Sequence, residues 1–281
     1  MTVSKLPIVV EGLRKDYGDR SVLRGVDLEV GRGEVFSLLG PNGAGKTTTV
    51  EILEGYRAAT AGFVRVLGFD PSTHPRELRQ RTGVVLQECG FPAHLRVGEI
   101  VDTWRAYYPR PRALDELLDV VELREERSTL VRRLSGGQRR RLDFALALAG
   151  DPDLIFLDEP TTGFDPEARR RCWSAIENLR ALGKTVLLTT HYLDEAEKLA
   201  DRVAILSGGT IRAVGTVREL TRLAQAPTHI SYRSAGGDRV TVETTDVRAT
   251  LCSLLDSLGE VDELDVSPPT LEDTYLELVH Q

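Results

Sequence analysis

The chain has 281 residues, 41% of them hydrophobic and 28% charged, with a formal net charge of −7. That is enough for one large domain, or a large one plus a small one, and the ordinary charge share excludes wholesale disorder. The negative balance argues against a protein that wraps nucleic acid, because phosphate binding favours a basic face.

The N-terminal stretch has one early lysine and only a short apolar patch, so no signal peptide is expected. Residues 35–39 (VFSLL) read as a buried strand, and residues 47–55 read as a helix. Between them runs Gly40-Pro41-Asn42-Gly43-Ala44-Gly45-Lys46-Thr47-Thr48. This is G-x-x-x-x-G-K-[ST] after a strand and before a helix, the setting that identifies a P-loop. Gly40, Gly43 and Gly45 let the backbone turn so that N–H groups face phosphate oxygens. The helix N-terminus adds partial positive charge. The motif gives Lys46 to the β- and γ-phosphates and the Thr47 hydroxyl to Mg²⁺. ATP and Mg²⁺ are therefore the expected cofactors, with residues 40–48 cradling the nucleotide.

Residues 64–68 and 83–87 are further expected strands. From Leu95 to Leu134 the pattern turns helical and charged. Residues 113–126 place Leu114, Leu117, Leu118, Val121 and Leu123 mostly on one helix face. A helical insertion over about 95–150 in an α/β core follows. Within it, Leu134-Ser135-Gly136-Gly137-Gln138 opens a helix, which is either an anion cradle or a plain N-cap on a flexible loop.

Residues 153–158 (DLIFLD) and 185–190 (TVLLTT) are almost wholly apolar, as suits strands covered on both faces of a parallel sheet. Asp158 and Glu159 end the first of them, at the edge where open α/β sheets bind ligands. Asp158 is placed to hold Mg²⁺ through water, and Glu159 to polarise the attacking water as a general base. A surface acid pair is the alternative, and the P-loop upstream makes it the lesser one. Residues 202–215 read as two strands around a Gly-Gly turn. The longest apolar runs, such as 144–150, are far shorter than the roughly 20 residues of a membrane span.

Past Ala226-Pro227 the character changes. Residues 1–226 carry 33 Lys and Arg against 32 Asp and Glu, whereas residues 227–281 carry three Arg against 11 acids. Residues 229–244 read as a hairpin, 247–259 as an amphipathic helix and 261–266 as a short strand. A last helix follows Pro268-Pro269, capped by Thr270 with Asp273 three residues on and striped by Leu271, Tyr275, Leu278 and Val279. Cys89, Cys172 and Cys252 and the five histidines are scattered, so no disulfide or His-based metal site is expected.

The order of these motifs resembles the ATP-binding-cassette (ABC) family. LSGGQ at 134–138, 20 residues ahead of Asp158, is similar to that family's signature. Tyr17 matches its adenine-stacking aromatic, Gln87 its Q-loop glutamine, Asp165 its D-loop and His191 its switch histidine. Taken singly, Tyr17 also reads as a half-buried strand tyrosine and Gln87 as a solvated polar residue. Asp165 also reads as a turn or helix cap, and His191 as a cap of the helix after it. The resemblance spans residues 8–225. One departure is Thr162-Gly163-Phe164-Asp165, where the family more often has Ser-Gly-Leu-Asp. Residues 51–71 and 267–278 further resemble the cassettes of bacterial drug and antibiotic exporters, whose ATPase and membrane subunits are separate chains.

The expected architecture is therefore α/β. It comprises a P-loop NTPase cassette over 1–226, with a mostly parallel core sheet, an antiparallel β part and a helical insertion, plus a small acidic α/β unit at 227–281. The resemblance implies two cassettes facing head to tail. Each ATP would lie between Lys46 of one and Ser135, Gly136, Gly137, Gln138 and Asp165 of the other. It implies Glu159, His191, Gln87 and Lys46 as the catalytic set, Gln87 beside Thr47 and Asp158 around Mg²⁺, and residues 87 to about 101 as the docking stretch for a membrane subunit. The expected assembly is an ATP-dependent homodimer with integral membrane permease subunits, peripheral on the cytoplasmic face of the cell membrane, with no nucleic acid partner. The alternative is a non-transport ABC-type ATPase in translation or DNA repair. Such members carry two cassettes, basic linkers or coiled-coil arms, none of which stands here. A P-loop kinase is disfavoured by LSGGQ and by Glu159 beside Asp158.

Overall fold

A computed structural model describes residues 6–85, 90–223, 228–234, 237–258 and 262–280. The expected Q-loop residue Gln87 lies outside them, as do Cys89 and the break at 226–227. By contacts the chain divides into two compact units, Met1–Arg212 and Ala213–Gln281.

The first unit opens with β1 (Ile8–Tyr17) and β2 (Arg20–Val30), then β3 (Val35–Leu39), α1 (Lys46–Leu53) and β4 (Ala61–Val66). Helix α2 (Arg76–Arg81) leads into β5 (Thr82–Val85), followed by α3 (Val97–Arg105), α4 (Leu114–Val120) and α5 (Gly136–Ala147). The series β6 (Leu154–Asp158), α6 (Pro166–Ala181), β7 (Thr185–Thr190), α7 (Leu193–Leu199) and β8 (Arg202–Ser207) follows, and the division at 212/213 falls within β9 (Thr210–Gly215). The main sheet has the order β5-β6-β7-β3-β8-β9, and its pairs from β5 through β8 are parallel. A smaller antiparallel sheet has the order β2-β1-β4.

Two hydrophobic cores lie on opposite faces of the main sheet, and the strands alternate between them. In β6, Leu154 and Phe156 join the core shared with the antiparallel sheet, while Ile155 and Leu157 join the core shared with α3–α6. In β7, Leu187 takes the first core and Val186 and Leu188 the second. Side chains on successive strand residues point to opposite faces, so a strand buried on both sides must be apolar throughout. That is the physical reason for the unbroken runs at 35–39, 153–158 and 185–190.

The helical insertion is α3, α4 and α5. The amphipathic stretch 113–126 forms a shorter helix than its pattern implies: α4 stops at Val120, and Glu122 has a φ of 55°. The turn still delivers Val121 and Leu123 to the core, at 1% and 0% exposure. Periodicity records which residues are buried, and here a turn buries the last two.

The second unit holds α8 (Val217–Leu223), β10 (Thr228–Arg233), β11 (Arg239–Thr244), α9 (Val247–Leu258), β12 (Asp262–Ser267) and α10 (Leu271–His280). Its sheet is antiparallel in the order β11-β10-β12. The capping box at α10 forms as its residues require: Thr270 N donates to Asp273 Oδ2 at 2.8 Å, and Asp273 N donates to Thr270 Oγ1 at 3.2 Å. Helix α10 packs against α8, which is why contacts draw residues 213–223 into this unit although the acidic composition starts later. Among the described residues no helix is long and apolar enough to cross a membrane.

Candidate nucleotide site

Strand β3 is fully buried and delivers the chain to the phosphate loop. A side chain at Gly40 would put its Cβ 2.3 Å from the Leu206 carbonyl oxygen on β8, so only glycine fits there. Gly43 and Gly45 have φ of 81° and 109°, the left-handed region that a Cβ disfavours. Gly45 is the N-cap of α1, and its carbonyl accepts from both Thr49 N and Thr49 Oγ1 at 2.9 Å. Gly40→Ala is expected to weaken nucleotide binding at least tenfold, about 1.4 kcal/mol, because the obstacle is backbone that cannot turn aside. A fluorescent-nucleotide titration checks this, and wild-type affinity would show that the loop tolerates the methyl.

The register of the sheet assembles the rest. Lys46 is 4% exposed, and its Nζ donates to Gly40 O at 2.8 Å and Pro41 O at 3.2 Å. The same Nζ lies 3.1 Å from Glu159 Oε1. The other carboxylate oxygen of Glu159 accepts from Thr162 Oγ1 at 3.1 Å and lies 3.2 Å from His191 Nδ1. Glu159 itself has a φ of 45°, an uncommon posture for a residue with a side chain. Its N–H is held by Thr189, through the carbonyl at 3.1 Å and the hydroxyl at 3.0 Å. Parallel pairing sets Asp158 opposite Thr189, whose hydroxyl donates to Asp158 Oδ1. One threonine therefore anchors both members of the acid pair.

These contacts set the protonation of Glu159. Burial is the largest single influence and raises its pKa, but the Lys46 ammonium, His191 and the Thr162 hydroxyl together outweigh it and hold the carboxyl below the ordinary carboxylate range. Glu159 is thus an ionised acceptor at neutral pH. Glu54, at the end of α1, goes the other way: burial first, then Asp158 and Glu51, push it up to about 8.

A cavity of about 660 Å³ opens above these groups. Its lining includes Tyr17, Asn42, Thr47, Thr48, Glu159 and His191. Tyr17 ends β1 at 40% exposure, with Lys15 Nζ 5.0 Å and Arg57 Cζ 5.6 Å from its ring centre. Gly40 and Ala44 are buried beneath the loop, Pro41 is half-buried, and Asp158 is 7% exposed. Thr47 and Asp158 offer a hydroxyl and a carboxylate, hard oxygen donors that suit Mg²⁺. The described residues hold no group of three or more His, Cys, Asp or Glu side chains poised around a metal. An ion here would complete its shell with phosphate oxygens and water, as Mg²⁺ does in phosphoryl-transfer sites.

Ser135, Gly136, Gly137, Gln138 and Asp165 line no part of this cavity, whereas Thr162, at the start of the D-loop stretch, does. Ser135 is the N-cap of α5: its Oγ accepts from Gln138 N at 3.2 Å, and Gln138 Oε1 accepts from Ser135 N at 3.0 Å. Gln138 Nε2 also donates to Glu126 Oε1 at 2.7 Å. Ser135 and Gly136 are exposed, and Gly137 is half-buried. Asp165 caps α6, accepting from Ala168 N at 2.8 Å, and is likewise exposed. Both capping readings hold, and the capped helix starts leave these residues on the surface.

Sequence reasoning missed Thr162, Thr189 and Glu54. Thr189 had one signal, a polar residue closing an apolar run. Thr162 was visible only as a departure in the D-loop stretch, three residues from the acid it bonds, and Glu54 had no signal, because its proximity to Asp158 joins residues distant in the chain.

The profile of the family described as ABC transporter matches residues 23–162. A "Nod factor export ATP-binding protein I" of Ralstonia nicotianae is 42% identical over 224 residues, covering 78% of this chain and 70% of the relative. The "Daunorubicin resistance ATP-binding protein DrrA3" of Streptomyces coeruleorubidus is 42% identical over 241 residues, covering 84% and 72%. Among solved structures, an ATP-binding subunit of an ABC transporter is 28% identical with a TM-score of 0.69, over 77% of this chain and 92% of that one. A dimeric ATP-binding cassette, MJ0796, described as a post-hydrolysis state bound to ADP and Pi, is 25% identical with a TM-score of 0.65, over 74% and 98%. The chain belongs to the ABC transporter family: it is one of the family's ATP-binding cassettes, and so an ATPase.

Proposed function

We propose that this chain is the ATP-hydrolysing subunit that powers export of a compound through a separate membrane permease. The observation that carries the reading is the convergence of Lys46, Glu159 and His191 at the phosphate loop, at 3.1 and 3.2 Å. The names of the relatives, for Nod factor export and daunorubicin resistance, supply the direction of transport. A non-transport role in translation or DNA repair is not favoured, since those relatives are named for export.

In this reading the loop N–H groups, the start of α1 and Lys46 bind the phosphates. Thr47 and Asp158 would hold Mg²⁺, which when bound would neutralise phosphate charge; Gln87, added to that set by the family resemblance, lies outside the described residues. Tyr17 stacks on the base. Glu159, ionised and held beside Lys46 and His191 at the cavity, accepts a proton from the attacking water, and His191 contacts the γ-phosphate. Ser135, Gly136, Gly137, Gln138 and Asp165 stand outside this chain's own cavity, and a second copy facing head to tail would bring them onto its nucleotide. The dimeric cassette among the structural relatives supports that arrangement. ATP then acts as the joint between copies, and loss of the γ-phosphate parts them. The dimer would sit on the cytoplasmic face of the membrane.

Co-purification from detergent-solubilised membranes tests the assignment. A polytopic membrane chain recovered in stoichiometric amount is the expected result. Recovery with ribosomes or DNA in its place would overturn the export reading.

A further inference from the structure

Beyond the nucleotide cavity, a buried polar cluster surrounds the two residues that follow Glu159. Pro160 O accepts from Arg140 Nε at 3.1 Å, and Arg140 lies on α5, the helix capped by Ser135. The Thr161 hydroxyl donates to Glu195 Oε1 at 2.8 Å, and Glu195 lies on α7, four residues beyond His191. Trp173 Nε1, on the helix capped by Asp165, donates to the same Oε1 at 3.1 Å. Thr161 and Glu195 are both 0% exposed. A carboxyl sealed in a protein interior is costly unless its partners are well placed. Burial raises the Glu195 pKa, against the Thr190 and Thr161 hydroxyls and the Trp173 indole.

We propose that Glu195 is a positioning residue for ATP hydrolysis. By holding Thr161 and Trp173 on one oxygen, it fixes Glu159 and the Asp165 turn relative to His191. This rests on the reading above, in which Glu159 acts on water and Asp165 faces the second copy's nucleotide. Three segments that must agree on one reacting phosphate are separate in sequence, and Glu195 is where they meet. A loosened junction leaves the phosphate loop and Lys46 untouched, so ATP still binds, but the base and the histidine no longer share a fixed geometry. Misplacement of a reacting group by about an ångström costs up to roughly 100-fold in rate.

The test compares Glu195→Met, which keeps bulk and removes the acceptor, with Glu195→Gln, which keeps the acceptor. Steady-state ATPase, equilibrium ATP binding and Trp173 emission are measured in a Trp104→Phe background, which leaves Trp173 as the sole indole. Expected for Glu195→Met are a kcat lower by about tenfold or more, an ATP Kd within about twofold of wild type, and loss of the ATP-dependent change in Trp173 emission. Glu195→Gln is expected to restore kcat to within about threefold and to restore the emission change. Wild-type kcat in Glu195→Met, ATP affinity falling in step with kcat, or Glu195→Gln as impaired as Glu195→Met would each overturn the proposal. If Glu195→Met does not fold, Thr161→Val decides: a severalfold lower kcat with ATP affinity kept supports the proposal, and wild-type kcat overturns it. Glu159→Gln run in parallel separates the two ideas, since wild-type turnover there removes the site reading itself, whatever the Glu195 variants do.

Discussion

Glu159→Gln is expected to bind ATP at least as tightly as the native chain while losing turnover by about 10²–10⁴-fold, the usual worth of a positioned base. Among the described residues the carboxylate is the one negative partner of Lys46 Nζ, at 3.1 Å, beside two backbone carbonyls. An amide withdraws that negative charge, so the ammonium is freer to face phosphate and the γ-phosphate meets no like charge. The hydrogen bond from Thr162 and the bonds that the main-chain N–H donates to Thr189 remain available to glutamine, so the loop keeps its shape. What disappears is the proton acceptor, which Lys46, His191 and Thr162 keep ionised against the effect of burial. Phosphate release measures turnover, and gel filtration with ATP is expected to show a stable dimer, because hydrolysis no longer separates the copies. Hydrolysis at the native rate would sink the assignment of Glu159 as base.

Lys46→Ala is expected to weaken ATP binding by about 10–150-fold, corresponding to the roughly 1.5–3 kcal/mol of hydrogen bonds to a charged group. The side chain is 4% exposed, so its ammonium works with little competition from water. The protein itself should survive the change. Glu159 keeps His191 and Thr162 as partners, so what is lost inside the protein is the ammonium's buried bond to the Gly40 carbonyl and its part-buried bond to the Pro41 carbonyl. Equilibrium nucleotide titration beside a thermal melt separates loss of binding from loss of fold. Unchanged ATP affinity would remove Lys46 from the phosphate site.

The parts of the molecule that the sequence disclosed are those built from chain neighbours. The phosphate loop is nine consecutive residues, and its strand and helix flanks are adjacent, so local chemistry suffices to locate it. The buried strands announced themselves because both faces are covered. The Asp158-Glu159 pair was legible as acids ending such a strand. Hidden from the sequence was what the parallel order β6-β7-β3 brings together. Thr189 meets Asp158 only through strand register. Glu195 meets Thr161 and Trp173 only because α6 and α7 pack together. Glu54 sits near Asp158 across separate elements, and nothing in EILEG betrays it. At α4 the apolar spacing overstated the helix, because a turn with Glu122 at φ 55° buries its neighbours as well as another helical turn would. The acidic composition from 227 onward and the contact division at 212/213 mark different things, since charge follows surface and contacts follow the α8–α10 packing.

The left-handed posture of Glu159 has a consequence for any substitution series at that position. The φ of 45° is set by Thr189 gripping the main-chain N–H twice, not by the carboxylate. Every side chain placed at 159 therefore leaves the backbone from the same origin and along the same bearing. Rates across such a series compare functional groups at one fixed muzzle, so a shorter acid reports reach and an amide reports basicity, with little contribution from a shifted main chain.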